Sequence, residues 1–102
     1  MSQSKYSVLI FPNAENDIQE MKTYFQEVLK TSAKPLLEKF LVQLDLLEQN
    51  PFIFPVSKDP YLQQLGYRVI PIDNYLIFYI IKEKEVQIHR FLYGRRNYQL
   101  LF

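Results

Sequence analysis

The sequence predicts an α+β fold with an N-terminal strand, a helical hairpin, a three-stranded antiparallel meander and a short C-terminal tail. Three observations lead to this prediction: a short β-rich run near the start, two successive segments with apolar residues at helical spacing, and three later β-rich runs separated by tight turns. The chain has 102 residues, which is enough for one hydrophobic core and too few for two. We therefore expect a single domain over residues 1–102.

The first strand and the first helix are predicted within residues 6–29. Residues 6–11 are mostly apolar and rich in β-forming residues, and Pro12-Asn13 ends this run. Asn13 is expected to cap the helix, and acidic residues follow in the first turns, where the helix dipole favours anions. The helix then carries apolar side chains at helical spacing: Ile18, Met21, Phe25, Val28 and Leu29.

A second helix is predicted after Thr31-Ser32, with Ser32 as its cap and Pro35 in its first turn. Only a few residues separate the two helices, so we expect a hairpin. The second helix carries an apolar stripe, which we assign to the core: Leu36, Leu37, Phe40, Leu41, Leu44 and Leu47.

Residues 50–66 are predicted to form a loop because prolines and Gly66 interrupt the pattern. Strands are expected at 67–72, 75–82 and 86–93. Segment 75–82 is apolar at nearly every position, which is typical of a strand buried on both faces. Since the helices can cover only one face of the sheet, we expect a partner chain to cover the other.

The last predicted strand alternates in character, which is the pattern of a strand with two different faces. One face would present Val86, Ile88, Arg90 and Leu92, and the other would present Gln87, His89, Phe91 and Tyr93.

Composition excludes several kinds of site. The chain has no cysteine and one histidine, so disulfides, thiolate catalysis and multi-histidine metal sites are excluded, and we expect neither a metal nor a cofactor. The polar start and the lack of an apolar run of about 20 residues give no sign of a leader or a membrane span. We expect a cytoplasmic protein.

Charge is distributed unevenly although the net charge is only +1. Residues 1–66 carry six lysines and eight acidic residues, whereas the last third contains all four arginines: Arg68, Arg90, Arg95 and Arg96. Two interpretations remain open: solvated strand ends, or a basic patch that faces nucleic acid or an acidic peptide. Eight tyrosines and eight phenylalanines likewise fit either a core or a partner-binding surface.

Two segments carry a resemblance to a known family. The first opens with Tyr67-Arg68 and ends its apolar-aromatic second strand at Tyr79, and the second runs from Val86 into Gly94-Arg95-Arg96. Together with the element order, they resemble the RelE/ParE toxin superfamily of type II toxin–antitoxin systems, with the ParE-like branch favoured. The resemblance implies a growth-inhibiting toxin neutralised by a cognate antitoxin in a hetero-oligomer.

The resemblance implies one of two activities. ParE-like members inhibit DNA gyrase, whereas RelE-like members are endoribonucleases that cut mRNA on the ribosome. A ribonuclease of this kind needs cations at the phosphate and groups that transfer protons. Here Leu76 stands where such enzymes typically have an arginine, Lys58 is the only nearby lysine before the meander, and Phe102 falls at about the position of a catalytic Tyr or His.

These departures favour gyrase inhibition over mRNA cleavage, and they leave open whether the chain is an enzyme at all. If it is a ribonuclease, the candidate residues are Arg96, Arg95, Tyr98 and His89. A third possibility is an inactive module that only binds the antitoxin. Candidates for binding the antitoxin or the target are Arg68, Arg90, Tyr93, Arg95, Arg96 and Tyr98.

Overall fold

The computed structural model describes residues 5–94 and 101–102. The elements follow the predicted order, with one addition, a short helix inside the segment predicted as a loop. They are β1 (Ser7–Ile10), α1 (Pro12–Glu27), α2 (Lys34–Gln49), α3 (Pro60–Gln64), β2 (Arg68–Ile72), β3 (Tyr75–Lys82) and β4 (Glu85–Tyr93).

The four strands form one sheet in the order β1-β4-β3-β2. The strands β2, β3 and β4 form the predicted antiparallel meander, and β1 joins its edge in parallel to β4, with Val8 opposite Val86. A parallel neighbour requires a long crossover connection, and the helical hairpin is the first part of that connection. The α+β fold predicted from the sequence is confirmed.

The helix starts differ from the predicted caps. The first helix starts at Pro12 with Phe11 at the cap position, so the prediction that Asn13 caps it is wrong. Proline has its φ preset for a first helical turn and lacks the N–H that a cap would have to satisfy. Ala33 rather than Ser32 is the cap residue of α2, although the Ser32 hydroxyl accepts the Lys34 N–H at 3.0 Å.

The short helix α3 is held by a side-chain cap that the sequence analysis missed. The Asp59 carboxylate accepts the N–H groups of Tyr61 at 2.9 Å and Leu62 at 3.1 Å, and Pro60 occupies the first turn. Leu62 of this helix is fully buried. The cap therefore fixes one apolar anchor inside an otherwise irregular segment.

The main core lies between the helical hairpin and one face of the sheet. Met21, Leu36, Phe40 and Leu47 come from the predicted helical stripes. They meet buried side chains of the sheet: Ile70, Ile77, Tyr79, Val86, Ile88 and Phe91. The Tyr79 hydroxyl is hydrogen-bonded within the protein and donates to the Pro51 carbonyl at 2.7 Å. Burial raises the pKa of Tyr79 to about 12.

The second face of the sheet has its own smaller apolar cluster. Leu62, Phe78 and Leu92 are buried there, each at most 1% exposed, and Leu101 and Phe102 pack against them. The expectation that a partner chain covers this face is wrong at this part of the sheet, because α3 and the two last residues of the chain cover it.

A β-bulge in β4 overturns the predicted alternation. Tyr79 pairs with Ile88, and the next residue back, Phe78, pairs with Arg90, so His89 is the extra residue on β4. Beyond such a bulge the side chains exchange faces. Phe91 therefore joins the helix-side core with Ile88, and Leu92 joins the second face with Phe78.

A buried ion pair connects α1 to β4 near this bulge. The Asp17 carboxylate, whose side chain is 4% exposed, accepts two bonds from the Arg90 guanidinium at 2.7 and 2.8 Å. It also accepts the Phe91 N–H at 3.0 Å, and Arg90 donates a further bond to the Leu101 carbonyl at 2.9 Å. The ion pair thereby joins a helix, a strand and the last residues of the chain.

Removing this carboxylate should destabilise the fold strongly. Asp17→Ala would leave the Arg90 charge and the Phe91 N–H without their partner in a mostly buried place, so we expect a loss of about 3 kcal/mol in the free energy of unfolding. Urea denaturation measures it. The matched control is Lys39→Ala in the exposed pair with Asp73, which should cost less than about 1 kcal/mol. Equal losses in the two variants would contradict the assignment.

Candidate functional site

Arg68 contacts its own chain through a backbone carbonyl and an aromatic ring. Its Nη1 donates to the Phe54 carbonyl at 2.6 Å, and its Cζ lies 5.2 Å from the centre of the Phe52 ring. A bridge between Val56 and Arg68 adds a backbone contact with the same segment. Arg68 therefore holds residues 52–56 against the edge strand β2.

Arg90 is likewise engaged within the chain. The hydrogen bond to Asp17 raises the pKa of Arg90, and the side chain is 16% exposed. Replacing either Arg68 or Arg90 would break internal bonds as well as any contact with a partner. The other predicted site residues of this basic set, Arg95, Arg96 and Tyr98, lie outside the described residues.

His89 is part of a chain of hydrogen bonds along β4. Gln87 donates through Nε2 to Glu85 at 2.7 Å, so its Oε1 faces His89 and accepts from Nε2 at 3.0 Å. The Nδ1 atom lies 2.7 Å from the Tyr67 hydroxyl. Since Gln87 Oε1 can only accept, Nε2 carries the proton, and Nδ1 accepts the Tyr67 O–H.

Neighbouring side chains hold the ring of His89 in place. Both ring nitrogens of His89 have partners, and the ring stacks on Phe11 with centroids 4.7 Å apart. Burial lowers the pKa of His89, which favours the neutral ring. The nitrogen of the neutral ring that could accept a proton, Nδ1, already accepts the Tyr67 O–H. The bulge and the ring contacts with Phe11 and Tyr67 explain the position of His89 by packing.

Leu76 and Phe102 both lie on the second face of the sheet. Both pack against the cluster of Leu62, Phe78 and Leu92. The Phe102 ring makes edge contacts with Tyr67 and Phe78, with centroids 4.8 and 5.0 Å apart. The two positions that the resemblance would give to ribonuclease residues are thus filled by packed apolar side chains.

Tyr93 lines an open groove, which we call the aromatic groove. It has a volume of about 870 Å³. The hairpin turn with the adjoining ends of α1 and α2 forms one side of it, and the β2–β3 turn with the end of β4 forms the other. The rings of Phe25, Tyr75 and Tyr93 follow one another along it, with centroids 6.4 and 5.6 Å apart. Tyr24 and Leu29 are each 47% exposed on its other wall.

This arrangement suits the binding of apolar side chains from a partner. Tyrosine and leucine that are half exposed beside a concave surface are typical of protein interfaces. Sequence analysis identified Tyr93 but assigned Phe25 and Leu29 to the helical stripe and passed over Tyr24 and Tyr75. The high tyrosine content was the only signal that could have indicated the groove.

Neither a metal-binding cluster nor a membrane-spanning helix is found among residues 5–94 and 101–102. In that part of the chain, His, Asp and Glu side chains form no group of three that could hold a metal ion. No helix there combines the length and the apolar character needed to cross a membrane.

The parallel β1, the helical hairpin and the antiparallel meander together define a small α+β protein. A family model described as the ParE toxin of type II toxin–antitoxin system, parDE, matches residues 8–98. The chain therefore belongs to the ParE toxin family.

A solved structure, described as the chromosomal ParDE TA system from P. aeruginosa, has the same fold. It is similar to this chain with a TM-score of 0.69 and 19% identity over 89% of this chain and 98% of its own. No curated protein sequence matches this chain.

The burial of His89 predicts a pH dependence of stability. Burial lowers the pKa of folded His89 below its ordinary value of 6.5, so the unfolded chain binds the proton more readily. The contribution of neutral His89 to the free energy of unfolding should be complete above pH 6.5. It should be lost as the pH drops through 6.5 toward the folded pKa. Urea midpoints between pH 5 and 8 measure it. Since His89 is the only histidine, His89→Gln should flatten this part of the profile, and parallel profiles would contradict the prediction.

Proposed function

We propose that this ParE-family toxin acts in the cytoplasm by inhibiting DNA gyrase and is neutralised by a cognate antitoxin. Membership of the ParE toxin family supports a toxin of a type II pair. The choice of gyrase over ribosome-bound mRNA depends on the residues of the second sheet face.

The observation that carries this choice is the packing of Phe102 on Phe78 and Tyr67. Cleaving an RNA strand requires one group that takes a proton from the 2′-hydroxyl. It requires another that protonates the leaving oxygen or stabilises the negative charge developing on it. Phenylalanine can do neither, and Leu76, which packs against the same cluster, brings no cation. His89, the nearest imidazole, has both nitrogens hydrogen-bonded to neighbours.

Purified gyrase provides the direct test. We expect the purified chain to block ATP-dependent supercoiling of relaxed plasmid, and we expect messages on translating ribosomes to stay intact. Cut messages together with normal supercoiling would overturn the gyrase assignment and make Arg95, Arg96 and Tyr98 the first residues to replace. If expression of the chain arrests no growth and neither assay responds, the chain is an inactive antitoxin-binding module.

We propose further that the antitoxin binds in the aromatic groove. The walls of this groove of about 870 Å³ combine exposed apolar side chains with a row of rings. Tyr93 contributes from β4 and Tyr24 from α1, so one apolar segment of a partner could contact both the sheet and the helical hairpin. Such rings are typical of the residues that dominate binding energy.

Tyrosine replacements test this surface. Tyr24→Ala and Tyr93→Ala should each weaken binding of the antitoxin about 10-fold, because each removes an exposed ring from the groove wall. Affinity is measured by calorimetry with the protein encoded by the adjacent short reading frame. Tyr61→Ala is the matched control, since Tyr61 is 53% exposed on α3, away from the groove. Equal affinities for all three variants would exclude the groove.

A further inference from the structure

The turn between the two helices of the hairpin carries a second concavity, which we call the lysine pocket. It has a volume of about 730 Å³, and its charged lining residues are Lys22, Lys30 and Lys34. Among the described residues that line it, none is acidic. The three lysines are exposed and come from the last turns of α1, the turn itself and the start of α2.

These lysines have no carboxylate partner within the described residues. In residues 5–94 and 101–102 the ion pairs join Lys39 with Asp73 and Arg90 with Asp17. Lys22, Lys30 and Lys34 therefore leave the pocket with positive charge and no acidic side chain in contact, which suits a negatively charged ligand.

The backbone holds the lysine pocket in place. Lys30 has a left-handed φ of 55°, and the next N–H, that of Thr31, donates to the Phe25 carbonyl at 3.0 Å. The left-handed residue and this hydrogen bond reverse the chain from α1 toward α2. The backbone of the lysine pocket is therefore a hydrogen-bonded turn.

The lysine pocket and the aromatic groove share a rim. Thr31 and Ser32 line both concavities. A segment that lies across the hairpin turn would thus meet apolar side chains on one side and three cations on the other. Leu29 and Pro35 on the groove side are matched by aliphatic side chains of a peptide and not by a sugar–phosphate backbone, which favours a protein partner over a nucleic acid.

We infer that the lysine pocket binds a cluster of acidic side chains on a protein partner whose adjoining apolar residues occupy the aromatic groove. The inference rests on the proposed function in taking the antitoxin as that partner. It assigns the electrostatic part of recognition to the hairpin turn, because the described arginines Arg68 and Arg90 are bonded within the chain.

Charge reversal tests the inference with the protein encoded by the adjacent short reading frame as the probe. Lys30→Glu and Lys34→Glu should each weaken its binding about 5-fold at 0.05 M NaCl, and the difference from wild type should shrink at 0.5 M NaCl as salt screens the charges. Lys58→Glu and Lys82→Glu, exposed lysines on other parts of the surface, are the matched controls and should change affinity less than 2-fold.

The outcomes separate this inference from the proposed function. If the pocket and control variants bind the probe equally well while Tyr93→Ala binds it weakly, the lysine pocket is excluded and the groove stands. If the pocket variants keep their affinity for the probe but lose affinity for a 20-base-pair DNA duplex, the surface is a nucleic-acid contact and the inference is overturned. Failure of the wild-type chain to block gyrase rejects the proposed target without affecting the binding comparison. Urea midpoints close to wild type show that each variant is folded.

Discussion

The pairing of Asp17 with Arg90 is the constraint on which the rest of the structure depends. An ionised carboxylate at 4% exposure is tolerated only when its oxygens are satisfied, and here they accept bonds from one guanidinium and from the Phe91 N–H. The pair sets the position of α1 over β4 beyond what apolar packing alone specifies. Through the Leu101 carbonyl, the same guanidinium places the last two residues on the opposite face of the sheet.

The bulge at His89 and this ion pair act together. The extra residue lets β4 supply Ile88 and Phe91 to the main core and still supply Leu92 to the second face. Both faces of the central strands are then covered by the described chain, with Phe102 closing the region where a nuclease of this superfamily would need polar groups. This packing supports a toxin that acts by binding rather than by cutting RNA, which is the basis of the gyrase proposal.

The surface that we propose for a partner lies along the hairpin. Arg68 and Arg90 make hydrogen bonds within the chain, while the lysines of the hairpin turn have no ion pair among the described residues. The net charge of a sequence segment therefore does not predict which charges a partner would contact. Residues 1–66 are acidic overall and yet contribute the lysine pocket. Exposure and pairing decide which charges a partner meets, and both are properties of the folded chain.

By itself, the sequence determined the order and type of nearly every element, the apolar stripes of the helices and the meander, because these depend on local periodicity and turn residues. It also indicated the family and the absence of ribonuclease residues at Leu76 and Phe102. Only the tertiary structure decided that Asp17 faces Arg90, that His89 is a bulge, and that Tyr24 and Tyr93 share one groove. Those features join residues far apart in the chain, such as Asp17 and Arg90, and no local pattern encodes which distant side chains meet.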